Sequence, residues 1–233
     1  MQNALVLTRP QLAAKLQSTL MRPDVTRQQV AAHIEACAEH SFHAAMIPMA
    51  DVPLARAILQ GTKVKVATAI CFGTGYESVA GKVALVHECR TLGADEVDYG
   101  PNMSLFLSGE LEAFRDESAA LVEAAGDMTL KAMLELHFIE TDDEQKHAAR
   151  LLEEAGVPWI KNSSGGGPRP GQATPAAIQL LRAALKPETH IKASGGIKSH
   201  AGALELIHAG AELLGTSAAL AILEGVEAGD TSY

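Results

Sequence analysis

The sequence has few cysteines and few basic residues, and each shortage excludes a class of protein. Its three cysteines, Cys37, Cys71 and Cys89, show no CxxC spacing in 233 residues. They cannot all pair within the chain, so we expect a reducing, cytoplasmic location. The 19 lysines and arginines stand against 28 acidic residues, giving a formal charge of −9. An acidic chain without a basic run is a poor candidate for binding nucleic acid.

Long apolar runs are also missing. No stretch approaches the roughly 18 apolar residues of a membrane-spanning helix, and the opening residues lack the charged and apolar regions of a secretory signal. We therefore expect neither. The composition, 47% apolar and 20% charged, suits one globular core. No linker or low-complexity tract divides the chain, so we predict one domain spanning residues 1–233.

Helix starts are marked by threonines. Thr26 with Gln29, and Thr141 with Glu144, have the spacing of a capping box. Thr174 followed by proline is an N-cap with proline at the first helical position. Apolar residues at helical spacing follow each of these threonines, so three helices are predicted there.

Short apolar runs alternate with the helical segments, as in buried parallel strands. Seven are clear, at residues 44–47, 64–70, 96–99, 129–136, 159–161, 190–193 and 213–216, and an eighth is suggested at 16–20. Gly93, Gly156 and Gly210 each lie between a helical segment and a run, where a helix C-terminus needs a left-handed residue. Eight such units favour a closed (β/α)8 barrel. An open flavodoxin-like or Rossmann sheet is the second choice.

Two lysines interrupt the apolar pattern near strand ends. Lys161 follows Ile160 and Lys192 follows Ile191, 31 residues further on. If the isoleucines face the helices, both lysines face the barrel interior, on neighbouring strands. Repulsion and burial would then lower the pKa of one of them. A neutral lysine can attack a carbonyl and form a Schiff base. Alternatively, both side chains extend to solvent as ordinary strand-end lysines.

Asp98 faces inward by the same alternation, because Val97 precedes it. A carboxylate at that position could move a proton between a lysine adduct, a water molecule and a substrate carbon. The alternative is a structural ion pair with Lys131 or Lys192.

Glycine-rich turns follow the last three strands. They are SSGGG at 163–167, Gly195 with Gly196, and GTS at 215–217, where a helix is predicted to begin at Ser217. Backbone N–H groups in such turns, with a helix N-terminus behind them, can hold a phosphate. Alternatively, these glycines only make tight turns.

A possible zinc pattern is weaker. His33, Cys37 and His40 fall on one face of a predicted helix, a spacing that could hold zinc. No carboxylate or second ligand pair accompanies them. Helix packing is therefore the favoured interpretation, and we predict no metal site.

At these residues the sequence resembles the deoxyribose-phosphate aldolase family. The resemblance rests on KNSSG at 161–165, KASGGI at 192–197 and EVD at 96–98, with weaker matches at Asn102 and Glu135. The opening TLMRPD at 19–24 and a final Tyr233 also fit, the tyrosine as the end of a mobile C-terminal tail. The match covers nearly the whole chain.

The resemblance implies a class I aldolase. Lys161 would form the Schiff base, Lys192 would perturb its pKa, and Asp98 would assist proton transfer, with Tyr233 as a further catalytic residue. The phosphate-binding residues would be Ser164, Gly165, Gly166, Gly195, Gly196 and Ser217. The implied reaction is the reversible cleavage of 2-deoxyribose 5-phosphate to glyceraldehyde 3-phosphate and acetaldehyde, a step of deoxyribonucleotide catabolism. No cofactor or metal is implied, the only partners are small molecules, and a homodimer is one expected assembly.

Several positions depart from the family pattern. They are Gln17 in place of an aspartate, Met46 in place of a cysteine, Pro48 in place of an asparagine, Leu136 in place of a threonine, Gly166 in place of a lysine, and Ala218 in place of a small polar residue or glycine. These changes leave the lysine pair intact but bear on substrate choice. Two alternatives follow: the same chemistry on an unphosphorylated or different aldehyde, or a non-catalytic barrel that binds a sugar phosphate.

Overall fold

Side-chain caps fix where the predicted helices begin. Thr26 and Gln29 form the predicted capping box, and Thr174 caps a helix whose first residue is Pro175. Thr141 accepts a hydrogen bond from the backbone N–H of Glu144, while its own hydroxyl donates to the Glu144 carboxylate at 2.7 Å. All three predicted helix starts are confirmed.

Strands and helices alternate through residues 7–226, the part of the chain that the computed structural model describes, except that two helices in succession follow the fourth strand. The strands are β1 (Leu16–Thr19), β2 (Ala44–Met46), β3 (Lys65–Ile70), β4 (Glu96–Tyr99), β5 (Thr129–Met133), β6 (Trp159–Lys161), β7 (His190–Ser194) and β8 (Leu213–Thr216). The helices are α1 (Arg9–Ala13), α2 (Arg27–Glu39), α3 (Val52–Ile58), α4 (Val79–Leu92), α5 (Met103–Leu107), α6 (Leu111–Ala125), α7 (Asp142–Glu154), α8 (Pro175–Ala184), α9 (His200–His208) and α10 (Ala219–Glu224).

The sheet closes on itself. Each strand pairs in parallel with the next, and β1 pairs with both β2 and β8. Gln17 therefore lies opposite Gly215, and Lys161 lies opposite Lys192. This closure confirms the predicted (β/α)8 barrel and excludes the open-sheet alternatives. Gly93, Gly156 and Gly210 all have positive φ at helix ends, as predicted.

Two predicted boundaries differ from the structure by more than one residue. β5 ends at Met133 rather than at 136, because Glu135 takes a left-handed conformation (φ 51°) and a 3₁₀ turn follows at Leu136–Phe138. No helix begins at Ser217: α10 begins at Ala219, after Ala218 at the N-cap.

The sheet separates an apolar layer from a polar interior. Ile160 and Ile191 pack in the main core between strands and helices, as predicted from their position before the lysines. A small apolar cluster of Ala44, Met46 and Ala67 is separate from that core. No helix among the described residues is both long and apolar enough to cross a membrane.

Candidate active site

Asp98 lies at the centre of the buried polar residues of the barrel. Its Oδ2 accepts hydrogen bonds from Lys192 Nζ at 2.6 Å and from Lys161 Nζ at 3.1 Å. Lys131 Nζ lies 3.7 Å from the other carboxylate oxygen, Oδ1, which accepts no hydrogen bond from the described residues. The Lys161 and Lys192 side chains are only 4% and 1% exposed. The two lysines are therefore not solvent-extended strand-end residues.

The electrostatics of this cluster follow from burial and crowding. Burial lowers the pKa of Lys192 to about 7, and Lys161 and Lys131 act in the same direction, whereas Asp98 opposes them. Burial alone would raise the pKa of Asp98, but the ammonium groups of the same three lysines hold it well below its usual range. The predicted pKa depression within the lysine pair therefore falls on Lys192.

Lys192 on β7 is also contacted from the next two strands of the closed barrel, β8 and β1. Its Nζ also donates to Gln17 Oε1 on β1. On β8, a Cβ at Gly215 would lie 2.9 Å from Lys192 Cε, so glycine there leaves room for the lysine stem. Lys161 has a different environment, with the ring of Phe72 5.9 Å from its Nζ.

A cavity of about 480 Å³ opens at the carboxyl ends of the strands. Phe72, Ser194 and five of the predicted binding residues line it: Gly165, Gly166, Gly195, Gly196 and Ser217. The sixth, Ser164, is buried, and its hydroxyl bonds to both the N–H and the carbonyl of Gly166. Phe72 connects this cavity to the lysines, because it also packs near Lys161.

The glycine turns pack against each other through their backbones. Gly165 has a φ of 72°, and a Cβ there would lie 2.9 Å from the Cα of Gly195. Two of the backbone donors are already used, since Gly165 N–H donates to Ser163 Oγ at 3.0 Å and Gly166 N–H donates to Ser164 Oγ at 3.3 Å. The turns are therefore close enough to form one cradle.

Glu135 positions the first glycine turn, a role that the sequence did not reveal. Its carboxylate accepts hydrogen bonds from Ser163 Oγ at 2.8 Å and from Ser164 N–H at 2.9 Å. The residue is buried and left-handed, which is rare for a side chain other than glycine, asparagine or aspartate. Strained backbone of this kind clusters at functional sites.

Two cations in the cavity lining were not predicted as site residues. Arg22, after β1, and Lys198, after the β7 turn, both line the cavity. By contrast, the Arg169 guanidinium stacks over Phe138 at 5.2 Å, and its carbonyl oxygen accepts a hydrogen bond from His137 at 2.6 Å. A signal was available for Lys198, which directly follows the KASGGI motif.

The histidine pattern on α2 does not converge on a metal site in the described part of the chain. His33 contacts the carbonyl oxygen of Ser18 at 3.2 Å, and burial raises the pKa of the Cys37 thiol to about 12. His40 stacks on Phe42.

The other positions that the sequence analysis singled out lie in different parts of the fold. Asn102 caps α5, and its backbone N–H donates to Glu117 at 2.8 Å. Met46 is buried in the small apolar cluster, and Pro48 precedes a 3₁₀ turn. Leu136 is buried beside Glu135. Tyr233 lies outside the described residues, so its catalytic role stays a prediction.

Comparison with known proteins gives close relatives over nearly the whole chain. A deoxyribose-phosphate aldolase from Brevibacillus brevis is 34% identical over 92% of this chain and 96% of its own length. One from Dictyoglomus turgidum is 32% identical over 94% of this chain and 99% of its own length. The tetrameric deoxyribose phosphate aldolase from Aeropyrum pernix has a TM-score of 0.86 at 26% identity, covering 93% of this chain and 91% of its own. No family model matches.

The fold, the buried lysines below a glycine-lined cavity and these relatives define an enzyme of the lyase class on a (β/α)8 barrel. Lyases of this kind break a carbon–carbon bond without hydrolysis. The chain belongs to the deoxyribose-phosphate aldolase family.

Proposed function

We propose that this enzyme reversibly cleaves 2-deoxyribose 5-phosphate to glyceraldehyde 3-phosphate and acetaldehyde through a Schiff base on Lys161. One observation carries the proposal: two buried lysines donate to the same carboxylate oxygen, Asp98 Oδ2. We also propose that residues 1–233 act as one domain in the cytoplasm, in the catabolism of deoxyribonucleotides.

Lys161 is better suited than Lys192 to attack the substrate. Lys192 donates to two acceptors, Gln17 and Asp98, which restrain its Nζ. Lys161 makes the longer bond to Asp98 and lies beside Phe72, which lines the cavity. The neutral amine of Lys161 would add to C1 of the open-chain sugar, and loss of water would give a protonated imine.

Asp98 can connect the protonation states of the two lysines. Because Lys161 and Lys192 donate to one oxygen, a proton can pass from Lys161 through Asp98 to Lys192, whose pKa of about 7 lets it accept that proton at neutral pH. Loss of the C3 hydroxyl proton then breaks the C2–C3 bond, and its electron pair moves to the imine to form an enamine. Protonation at C2 and hydrolysis release acetaldehyde, so the imine itself is the electron sink.

The glycine cradle would hold the phosphate. Gly195, Gly196 and Ser217 line the same cavity as Lys198, so backbone donors and a cation surround one space. The direct test of the proposed function is the ratio of kcat/KM for deoxyribose 5-phosphate to that for free deoxyribose. A clear preference for the phosphorylated sugar supports it.

One observation favours a second candidate, the same aldol chemistry on an unphosphorylated aldehyde. The N–H groups of Gly165 and Gly166 are engaged by serine hydroxyls, so they offer less to a phosphate. If free deoxyribose is the better substrate, this second candidate replaces the first. Absence of cleavage of both sugars would favour a non-catalytic binding barrel.

Lys198→Met is expected to separate phosphate binding from chemistry. A hydrogen bond to a charged group is worth about 1.5–3 kcal/mol, so kcat/KM for deoxyribose 5-phosphate should fall by roughly tenfold to a hundredfold. Free deoxyribose should be nearly unaffected. Lys198→Arg, which keeps the charge, is the matched control and should retain most of the preference. An equal loss on both sugars would contradict the phosphate assignment.

The enzyme is expected to tolerate high acetaldehyde concentrations. A conjugated enal formed from two acetaldehyde molecules alkylates thiolates, but a thioether stands at Met46. Burial raises the pKa of the Cys71 thiol to about 12 and that of Cys89 to about 11, so both are protonated at neutral pH.

Residual activity and intact mass after acetaldehyde exposure measure this tolerance. Met46→Cys is the matched control, which should lose activity faster and carry an adduct at position 46. Rapid inactivation of the parent enzyme with an adduct on Cys71 would refute the expectation.

A further inference from the structure

We propose that Gln17 is a positioning residue that holds Lys192 against Asp98 while leaving Lys192 free to lose its proton at neutral pH. This inference rests on the proposed function, in which Lys192 accepts the proton of Lys161. It assigns a role to a side chain that neither contacts the cavity nor reacts with substrate.

Gln17 lies between two groups of buried charges. One group is centred on Asp98, with Lys161 and Lys192 on its Oδ2. The other is centred on Glu96, whose carboxylate contacts Lys131 at 2.5 Å, Lys65 at 2.7 Å and His43 at 2.8 Å.

The Gln17 side chain is fully buried and touches both groups. Its Oε1 accepts a hydrogen bond from Lys192 Nζ, and its Nε2 lies 3.5 Å from Glu96 Oε2. This orientation of the amide is the one that both neighbours require, because the reverse would place an NH₂ group against the ammonium and an oxygen against the carboxylate.

At the length of a glutamine side chain, only a neutral donor–acceptor group satisfies both contacts; the aspartate of the family pattern is one methylene shorter. A carboxylate at position 17 would accept from Lys192 but would lie about 3.5 Å from the Glu96 oxygen, if the side chain kept its place. An apolar side chain would leave Lys192 with Asp98 as its remaining acceptor among the described residues. The amide therefore orients the ammonium without adding a negative charge.

The number of buried lysines and carboxylates explains why the side chain at position 17 needs to be neutral. Three buried lysines, Lys131, Lys161 and Lys192, share two buried carboxylates, Glu96 and Asp98. The partly exposed Lys65 also pairs with Glu96. Since lysines outnumber carboxylates, a buried lysine here loses its proton more easily than a lysine in water. Two further strands contact Lys192 and add no charge: β1 contributes the Gln17 amide and β8 contributes Gly215. A third carboxylate would reduce the excess of lysines over carboxylates.

Gln17→Glu tests this inference. The added carboxylate should keep Lys192 protonated to higher pH, so the acidic limb of the kcat/KM profile should move up by about one pH unit. Activity at pH 7 should fall about tenfold and recover at higher pH. Gln17→Met removes the hydrogen-bond acceptor of Lys192 without adding charge, so the acidic limb of its kcat/KM profile should move to lower pH.

The readouts separate a positioning role from a structural one. Thr68→Val is the matched control, because Thr68 is a fully buried strand residue whose hydroxyl has no partner in the described part of the chain. Its profile should match that of the parent. Limbs that stay fixed in both Gln17 variants, or that move in the same direction, would overturn the inference. If Gln17→Glu does not fold, the Gln17→Met variant decides by itself: an acidic limb that stays fixed or moves to higher pH would overturn the inference.

A second assay keeps this inference distinct from the proposed function. The pH dependence of reductive trapping of acetaldehyde at Lys161 is measured in the parent and in each folded variant. Absence of trapping in the parent at every pH contradicts the proposed function. If the parent is trapped and Gln17→Glu does not shift the pH dependence of trapping, only the role of Gln17 is contradicted.

Discussion

Lys161→Arg is expected to abolish turnover while the barrel stays folded. Arginine keeps the positive charge that pairs with Asp98 in the parent at 3.1 Å, but it cannot be deprotonated to attack a carbonyl. Lys161 is the nucleophile of the proposed mechanism, and removing the nucleophile of a covalent mechanism costs at least about 10³-fold in kcat. The measurement is kcat on deoxyribose 5-phosphate, with circular dichroism and Tm reporting on the fold.

Lys65→Arg is the matched control for this variant. Lys65 pairs with Glu96 at 2.7 Å and its side chain is 45% exposed, so its replacement should leave turnover near that of the parent. Activity of Lys161→Arg within tenfold of the parent would show that another group is the nucleophile.

Lys192→Leu is expected to have the second largest effect. The leucine fills part of the lysine volume but removes the amine that, in the proposed mechanism, accepts the proton released during imine formation. Imine formation should then need a higher pH, so the acidic limb of the pH–rate profile should move up by about one unit or more. Loss of a proton-transfer group typically costs about 10²–10⁴-fold, and a loss in that range is expected at pH 7.

The pH–rate profile also distinguishes this role from a loss of packing. Lys192 is fully buried, so its replacement could lower Tm without changing the mechanism. A uniform loss of rate at every pH, with the acidic limb unchanged, would contradict the assignment of Lys192.

Local patterns predicted most of the fold and the core of the site. Strand residues alternate between two faces, so Ile160 and Ile191 were enough to place Lys161 and Lys192 inside the barrel. The glycines at three helix ends, Gly93, Gly156 and Gly210, have the left-handed conformation that few other residues adopt, and they made the repeated βα unit recognisable. These signals are local, because each depends on residues that are close together in the sequence.

The rest of the site depends on contacts between distant parts of the chain. Glu135 acts through a left-handed backbone and bonds to a turn 28 residues away, and nothing in its own neighbourhood signals that conformation. Arg22 and Lys198 line one cavity only because closure brings the β1 and β7 loops together. The two contacts of Gln17 likewise cross the barrel interior.

The burial of the lysine pair could be predicted from the residue pattern, but which of the two lysines has the lowered pKa could not. Repulsion between two buried ammonium groups lowers a pKa without indicating which lysine is affected. That outcome depends on how Asp98, Gln17 and Lys131 surround Lys192, and these four residues come from different strands.

The most direct test of the central claim is borohydride trapping with acetaldehyde, followed by peptide mass spectrometry. The Schiff base on Lys161 predicts a stable two-carbon adduct on that residue in the parent enzyme, and no such adduct at position 161 in Lys161→Arg. Absence of any adduct in the parent, or an adduct on Lys192 with Lys161 unmodified, would contradict it.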